Sequence, residues 1–357
     1  MVDAAAPVIA AAAARDGVTI AWERLPYGAD HFLATGETLP EEAFAHLHDG
    51  VDAIFVGALG DPRVPGNEHA RDILLGLRFR LDLYVNFRPV RLLHESLCPL
   101  RLPVTAAPAA SAAPAHARAA GAADRTIDFV IFRENTEGVY LGRGRSKAVG
   151  TPEEEQIAEE VHTAPRVSRI LRAAFEWARA HGKGLVTMSD KANAVPAHRL
   201  WQRLFGEIGE EFPELTREHR YVDALAMELV RDPTRFQVIV TGNLFGDILS
   251  DLAAQLVGGL GLAASANLHP GRPGLFEPVH GSAPSLAGKG VANPMAALLT
   301  GALMLDQLGA PLGARALETG VAAAIAAEIT TPDLGGTAST GEVAEWIGRR
   351  VEGVEVG

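Results

Sequence analysis

Three aspartates have the residue type and spacing for metal chemistry. In GNLFGDILSDLAA (242–254), Asp247 and Asp251 stand four residues apart among Leu244, Phe245, Ile248, Leu249 and Leu252. On a helix that spacing puts both carboxylates on one face, about one turn apart. Two like charges so placed repel by a few tenths of a kcal/mol when solvated, and by more when partly buried. Their place in the first two turns, where the helix dipole favours anions, is one relief; a bound cation is the other, and spacing alone does not choose. Asp223, in RYVDALAMELV, is a third carboxylate of the same kind. Three oxygen donors without clustered His or Cys suit a hard divalent cation, Mg²⁺ or Mn²⁺, better than zinc.

Arginine is the side chain suited to bidentate carboxylate binding. RFRLDLYVNFRP sets Arg78 and Arg88 on either side of a strand-like segment, and Arg133 ends the apolar run DFVIFR. Any one of them alone reads as solvated surface. Tyr140 in RENTEGVYLG and Lys191 in TMSDKANAV are candidate proton-transfer groups. Lys191 follows a strand-like run, where burial or neighbouring cations would lower its pKa; taken singly, the two read as a packing tyrosine and a surface lysine. FEPVHGSAPSLAGKGVANP (276–294) is a Gly/Ala/Ser/Pro-rich loop carrying His280, Lys289 and Asn293. Its backbone N–H groups could cradle a phosphate, although neither GxGxxG nor GxxxxGK[ST] spacing is present.

The elements that must position these groups alternate along the chain. A helix starts almost at Met1, and VTIAWERL (18–25) reads as a strand. A helix over LPEEAFAHLHD, a strand in VDAIFVGALGDP, a helix over ARDILLGLRFRLDL and extended YVNFRPVRLL follow. TIDFVIFREN, GLVTMSD and RFQVIVTG read as strands; residues 153–182 read as one or two amphipathic helices and AHRLWQRLFGEIGEEF as another. Beyond residue 255 come Gly-rich loops, two Ala-rich helices (296–309 and about 313–328) and a terminal helix, GEVAEWIGRRV. Strands alternating with helices predict an α/β fold with substantially parallel pairing. The Ala/Pro-rich run 102–125 lacks amphipathic pattern and reads as a flexible surface insertion.

Composition bounds the function. A chain of 357 residues, 48% hydrophobic and 21% charged, is an ordinary soluble globular protein in which two domains are expected. A net charge of −12 argues against a general nucleic-acid or anionic-membrane binder. No apolar run reaches the roughly 18–20 residues of a membrane span, and the N-terminus has no basic n-region of a signal peptide. The single cysteine, Cys98, excludes an internal disulfide framework and fits a reducing cytoplasm.

In order, DFVIFRENTEGVY, VIVTGNLFGDILSDLAA and FEPVHGSAPSLAGKGVANP resemble the β-decarboxylating dehydrogenases that act on isocitrate, 3-isopropylmalate, homoisocitrate and tartrate or D-malate. The resemblance spans the chain apart from 102–125. It implies an isopropylmalate dehydrogenase-like fold, not a GxGxxG Rossmann fold, with two α/β domains around a largely parallel sheet. One domain would combine 1–90 with 258–357 and the other span 91–257, dimerising. It implies that Arg78, Arg88 and Arg133 hold substrate carboxylates and that Tyr140 protonates the enol. Lys191 would help take the hydroxyl proton, and Asp223, Asp247 and Asp251 would ligate Mg²⁺ or Mn²⁺. Lys191 and Asp223 would come from the partner subunit of a homodimer. Asn193 would lie near the nicotinamide; His280, Asn293 and the Gly281–Ser282–Ala283 backbone would form the adenosine site. The implied substrate is a small 2-hydroxy acid.

Three departures qualify this. Family members open with a strand and a GDGIGxEV-like loop, whereas MVDAAAPV resembles the continuation of that loop's helix; a misassigned start is the expectation, to be tested by expression with the upstream codons. NAD-dependent members carry Asp where this chain has Ser285, and NADP-dependent ones carry a basic residue, so NAD with relaxed discrimination against NADP is expected. Leu74 and Leu75, in ARDILLGLR, suit an apolar substituent such as isopropyl, while RENTEG and Arg71 fit the isocitrate, homoisocitrate or tartrate branches; a 3-isopropylmalate-like substrate is favoured. The rival from another class is a catalytically inactive metal- or nucleotide-binding homologue, against which the complete Arg/Tyr/Lys/Asp set argues.

Overall fold

β-Branched and aromatic runs flanked by amphipathic helices fold into one mixed sheet with helices on both faces. The structure, a computed structural model, describes residues 1–101 and 126–353. The first part of the chain forms α1 (Val2–Ala13), α2 (Ala29–Thr35), α3 (Glu41–Asp49), β1 (Ala53–Phe55), α4 (Glu68–Arg80) and β2 (Val85–Arg91). After the insertion come β3 (Asp128–Glu134), β4 (Gly144–Lys147), β5 (Glu155–Ala158), α5 (Ala164–Ala180), β6 (Leu185–Asp190) and α6 (Arg199–Gly209). Then follow β7 (Thr216–Tyr221), α7 (Val222–Arg231), β8 (Val238–Thr241), α8 (Asn243–Gln255), β9 (Ala264–Leu268) and β10 (Gly274–Pro278). Helices α9 (Met295–Gln307), α10 (Pro311–Ala326) and α11 (Thr340–Val351) end the described chain.

The main sheet has the order β1-β10-β9-β2-β3-β8-β6-β7. Four of its seven pairings are parallel; the antiparallel ones surround β9 and β2 at the centre. Period-two alternation sorts each strand between two layers. Val130 and Phe132 of β3 join the core under α5 and α6. Phe129 and Ile131 face the core that contains Leu225 and Leu229 of α7 and Leu249 and Ala253 of α8. The chain ends meet: α1, α9, α10 and α11 share one core with Phe276 of β10. A smaller core joins Leu77 and Leu81 to Leu275. Cys98 packs half-buried against the α7–α8 core.

The expected α/β fold is present, with local corrections. Residues 18–25 form no strand. Val18 and Ile20 do lean on the core, but no ladder partner lies beside them among the described residues. The acidic run before α5 is not helical, since 155–158 pair antiparallel with Gly144–Lys147 as an exposed ribbon, with Lys147 Nζ 3.8 Å from Glu155. Finally, β9 and β10 occupy a region read as loop. ASANL and GLFEP have no β-branched residues, so their strand state comes from neighbours rather than propensity. The insertion 102–125 lies outside the described residues.

Candidate active site

Strands β2 and β3 deliver arginines to the sheet face covered by α8. On β2, Asn86 and Arg88 point the same way, as alternate residues do; Arg133 lies in register with Asn86 on the neighbouring strand. Arg78 arrives from the last turn of α4, where a cation complements the helix C-terminus. It is thus a helical residue, while Arg88 lies within a strand.

The arginines are held by buried polar groups. Arg78 pairs with Glu277 of β10, both nearly buried. Asn267 Nδ2 donates to Glu277 at 3.0 Å, and its Oδ1 accepts from Asn86 at 2.8 Å and from Asn135 at 2.9 Å. Asn86 Oδ1 in turn accepts from Arg88 Nε at 2.8 Å. A continuous hydrogen-bonded chain therefore joins Arg88 to Arg78 across β2, β9 and β10. Such buried networks fix one geometry where their members are satisfied; here Arg78 Nε and Asn135 Oδ1 are buried without a partner among the described residues. Arg88 is still charged at neutral pH, although burial and the nearby Arg133 pull its pKa down to about 10.

Arg133 is 2% exposed. Its Nε donates to Asn243 Oδ1 at 2.8 Å, its Nη1 pairs with Asp247 and its guanidinium lies 5.2 Å from the Tyr140 ring centre. Asn243 also donates to the Glu137 carbonyl at 3.0 Å, tying the first turn of α8 to the loop that carries Tyr140. The Tyr140 hydroxyl donates to Asp247 Oδ2 at 2.8 Å. Burial, and next the bond to anionic Asp247, push the Tyr140 pKa up, so the phenol keeps its proton. Burial opposes ionisation of Asp247, but Arg133, the Tyr140 hydroxyl and Arg88 outweigh it and hold its pKa below the usual range. Asp251 differs: its nearest cation is Arg88 at 3.8 Å, and burial together with Asp247 pushes its pKa up against the pull of Arg88.

Lys191 follows β6, and Asp223 lies in the first turn of α7. Their side chains meet at 2.7 Å. Within one chain, Asp223 does not join Asp247 and Asp251 in a group of three ligating atoms; among the described residues only Glu160, His162 and His198 do so. Leu74 and Leu75 are half-buried on α4, one turn before Arg78. On the Gly-rich loop, Gly281, Ala283 and Ser285 are exposed and Ser282 half-buried. His280 Nε2 is buried without a partner among the described residues. Asn293 is buried; it donates to Asp333 at 3.0 Å and accepts from the Met295 N–H at 2.9 Å, at the start of α9. Asn193 is exposed in the turn after Lys191.

Sequence reading did not single out Asn86, Asn267, Glu277 or Asn243. The available signal was a polar residue on the inward phase of apolar strands, in YVNFRP, ASANL and GLFEP.

The sequence model of the isocitrate/isopropylmalate dehydrogenase family matches residues 1–347. The 3-isopropylmalate dehydrogenase of Beutenbergia cavernae is 45% identical over 305 residues, covering 85% of this chain and 82% of that one. The enzyme of the same name from Nocardia farcinica is 44% identical over 329 residues, covering 91% and 89%. The crystal structure of isocitrate dehydrogenase from Methylococcus capsulatus superposes with a TM-score of 0.82 at 36% identity, covering 98% of this chain and 95% of that one. The chain belongs to the isocitrate/isopropylmalate dehydrogenase family.

Proposed function

We propose that the protein catalyses NAD-linked, divalent-metal-dependent oxidative decarboxylation of a malate-type 2-hydroxy acid, with 3-isopropylmalate as substrate. The observation that carries this reading is the buried arginine cluster facing Asp247 and Asp251, with the Tyr140 hydroxyl on Asp247. The relatives named 3-isopropylmalate dehydrogenase and the half-buried Leu74–Leu75 pair favour the isopropyl side group.

Charge balance supports the metal. Arg78, Arg88 and Arg133 are matched by Glu277, Asp247 and Asp251, so a dianionic substrate enters this buried site near neutrality only with a divalent cation. Asp251, half-exposed, 3.8 Å from Arg88 and with a raised pKa, is the least closely paired of these carboxylates. Asp247 and Asp251 would hold the cation with Asp223 of a second subunit. His280 Nε2, without a partner among the described residues, and the largely exposed 281–285 loop would suit a nucleotide, with Ser282, Ser285, Asn293 and Asn193 beside it. A bound cation polarises the substrate hydroxyl and carboxylate oxygens, and a bound nicotinamide accepts hydride from C2.

The side chains account for the rest. The arginines hold the two carboxylates and fix which C–C bond is aligned to break. Lys191 takes the hydroxyl proton as the C2 oxygen becomes a carbonyl. Carbon dioxide then leaves the β-carbon, the bonding pair remaining as an enolate. Tyr140, kept protonated by burial and Asp247, supplies the proton that carbon needs.

Two exposed apolar patches support the homodimer. Met227 and Val230 on α7 and Leu244 and Ile248 on α8 are exposed on packed neighbouring helices. An exposed face of this kind marks an interaction surface, and its burial against a second copy would carry Lys191 and Asp223 to the neighbour's site.

The test is NAD⁺ and NADP⁺ reduction with Mn²⁺ across 3-isopropylmalate, D-malate, tartrate, isocitrate and homoisocitrate. The expected result is turnover highest with 3-isopropylmalate and abolished by chelation. Absence of reduction by folded protein with every acid would reject the enzymatic reading; a preference for isocitrate would reject only the side group.

A further inference from the structure

Glu160, His162 and His198 bring three ligating atoms within 4.8 Å of one another, outside the cluster of arginines and aspartates. Their hydrogen bonds assign them a different task from metal binding. His198 Nδ1 accepts from the backbone N–H of Lys191 at 2.9 Å, and His162 Nδ1 accepts from the Trp201 indole N–H at 3.2 Å. Both donors are obligatory, so each neutral ring carries its proton on Nε2. Both Nε2 atoms point at the same oxygen, Glu160 Oε1, at 2.9 Å from His198 and 3.1 Å from His162. A protonated Nε2 has no lone pair for a cation, and the carboxylate oxygen is already occupied by two donors.

The trio instead bears on Lys191. Strand β6 ends at Asp190, and the chain then turns through 191–198. In that turn Ala194 and Val195 donate to the Lys191 carbonyl at 2.9 and 2.8 Å, and Ala192 donates to Asp190 Oδ1 at 2.9 Å. The Lys191 N–H has a ring nitrogen as its acceptor rather than a backbone carbonyl. His198 is 3% exposed and stands edge-on to Phe245 of α8 at 5.4 Å between ring centres. The segment bearing Glu160 also leads into Thr163, whose N–H donates to Glu137 at 2.8 Å in the Tyr140 loop.

We propose that Glu160, acting through His198, is the positioning element for Lys191. The carboxylate fixes the tautomer and rotation of the imidazole, and the imidazole fixes the peptide from which the lysine side chain springs. This rests on Lys191 being the proton-accepting group of the reaction. A displaced catalytic group slows the chemical step more than it weakens substrate binding.

The test uses full-length His198→Ala, His198→Asn, His198→Gln, Glu160→Ala and the double variant H198A/E160A, assayed for kcat and KM beside Lys191→Met. An asparagine Oδ1 reproduces the Nδ1 acceptor; a glutamine reaches the Nε2 position and leaves the Lys191 N–H without a partner. Expected are kcat losses of about tenfold or more for the alanine and glutamine variants with KM within about twofold, and recovery to within about threefold of native in His198→Asn. The double variant should lose no more than His198→Ala alone, because both substitutions act through one contact. Should His198→Ala fail to fold, the Gln–Asn pair makes the same comparison. Additive losses, equal kcat in His198→Gln and His198→Asn, or one equivalent of zinc that His198→Asn removes would each overturn the proposal. If Lys191→Met keeps its turnover, the role given to Lys191 fails instead, whatever the His198 variants do.

Discussion

Asp247 accepts both an arginine N–H and the Tyr140 hydroxyl, one on each carboxylate oxygen. Asp247→Asn keeps the shape but replaces one acceptor by a donor and leaves Arg133 without its counter-ion. Turnover should fall about a hundredfold or more while circular dichroism still reports folded protein; activity within about tenfold of native would remove Asp247 from the machinery. Glu160 yields a pH prediction. The two imidazole N–H bonds hold its carboxyl at about 2, against an ordinary 4.5. A lowered folded-state pKa means stabilisation that is complete above 4.5 and lost as pH falls through about 2. The melting-temperature gap between native protein and Glu160→Gln should therefore be widest near neutrality and narrow steadily below pH 4.5. At the proposed cofactor site, Ser285, uncharged and exposed, would neither bond a ribose diol as a carboxylate does nor repel a 2′-phosphate. The ratio of kcat/KM for NAD over NADP should accordingly stay under about a hundredfold, roughly 3 kcal/mol.

Helix α8 reaches the sheet so closely that one of its residues has no room for a side chain. A Cβ added to Gly246 would lie 2.5 Å from Arg133 Cγ and 2.6 Å from Arg133 Cβ. The glycine lets the helix cross the arginine stem, which is why Arg133 can meet Asn243 and Asp247 on successive turns. Gly246→Ala should lower unfolding free energy by about 1–3 kcal/mol through overpacking and raise KM by displacing Arg133. Denaturant titration and steady-state kinetics read the two effects separately. At this scale β9 and β10 have the least regular sequences and a central role, since Asn267 and Glu277 close the chain between Arg78 and Arg88.

Lys191 pairs with Asp223 apart from Asp247 and Asp251, and a site shared between two subunits would bring the two pairs together. Lys191→Met and Asp247→Asn should each be inactive alone. Refolded together, random heterodimers carry one site with both residues intact, so mixing should restore about a quarter of native activity. Sites built within single chains would restore none. The helix of GNLFGDILSDLAA, the buried strands VIVT and DFVIFR, and the chemical types of the candidate site residues were legible in the residues alone, because periodicity and side-chain chemistry are local properties. Tertiary structure alone decided that ASANL and GLFEP are strands, that 155–158 pair as a ribbon, and that Asn86, Asn267, Glu277 and Gly246 shape the arginine cluster. Those outcomes depend on which strand or helix lies alongside, and a pairing partner, whether the next strand of a ribbon or one from the other end of the chain, leaves no periodic signature in either sequence.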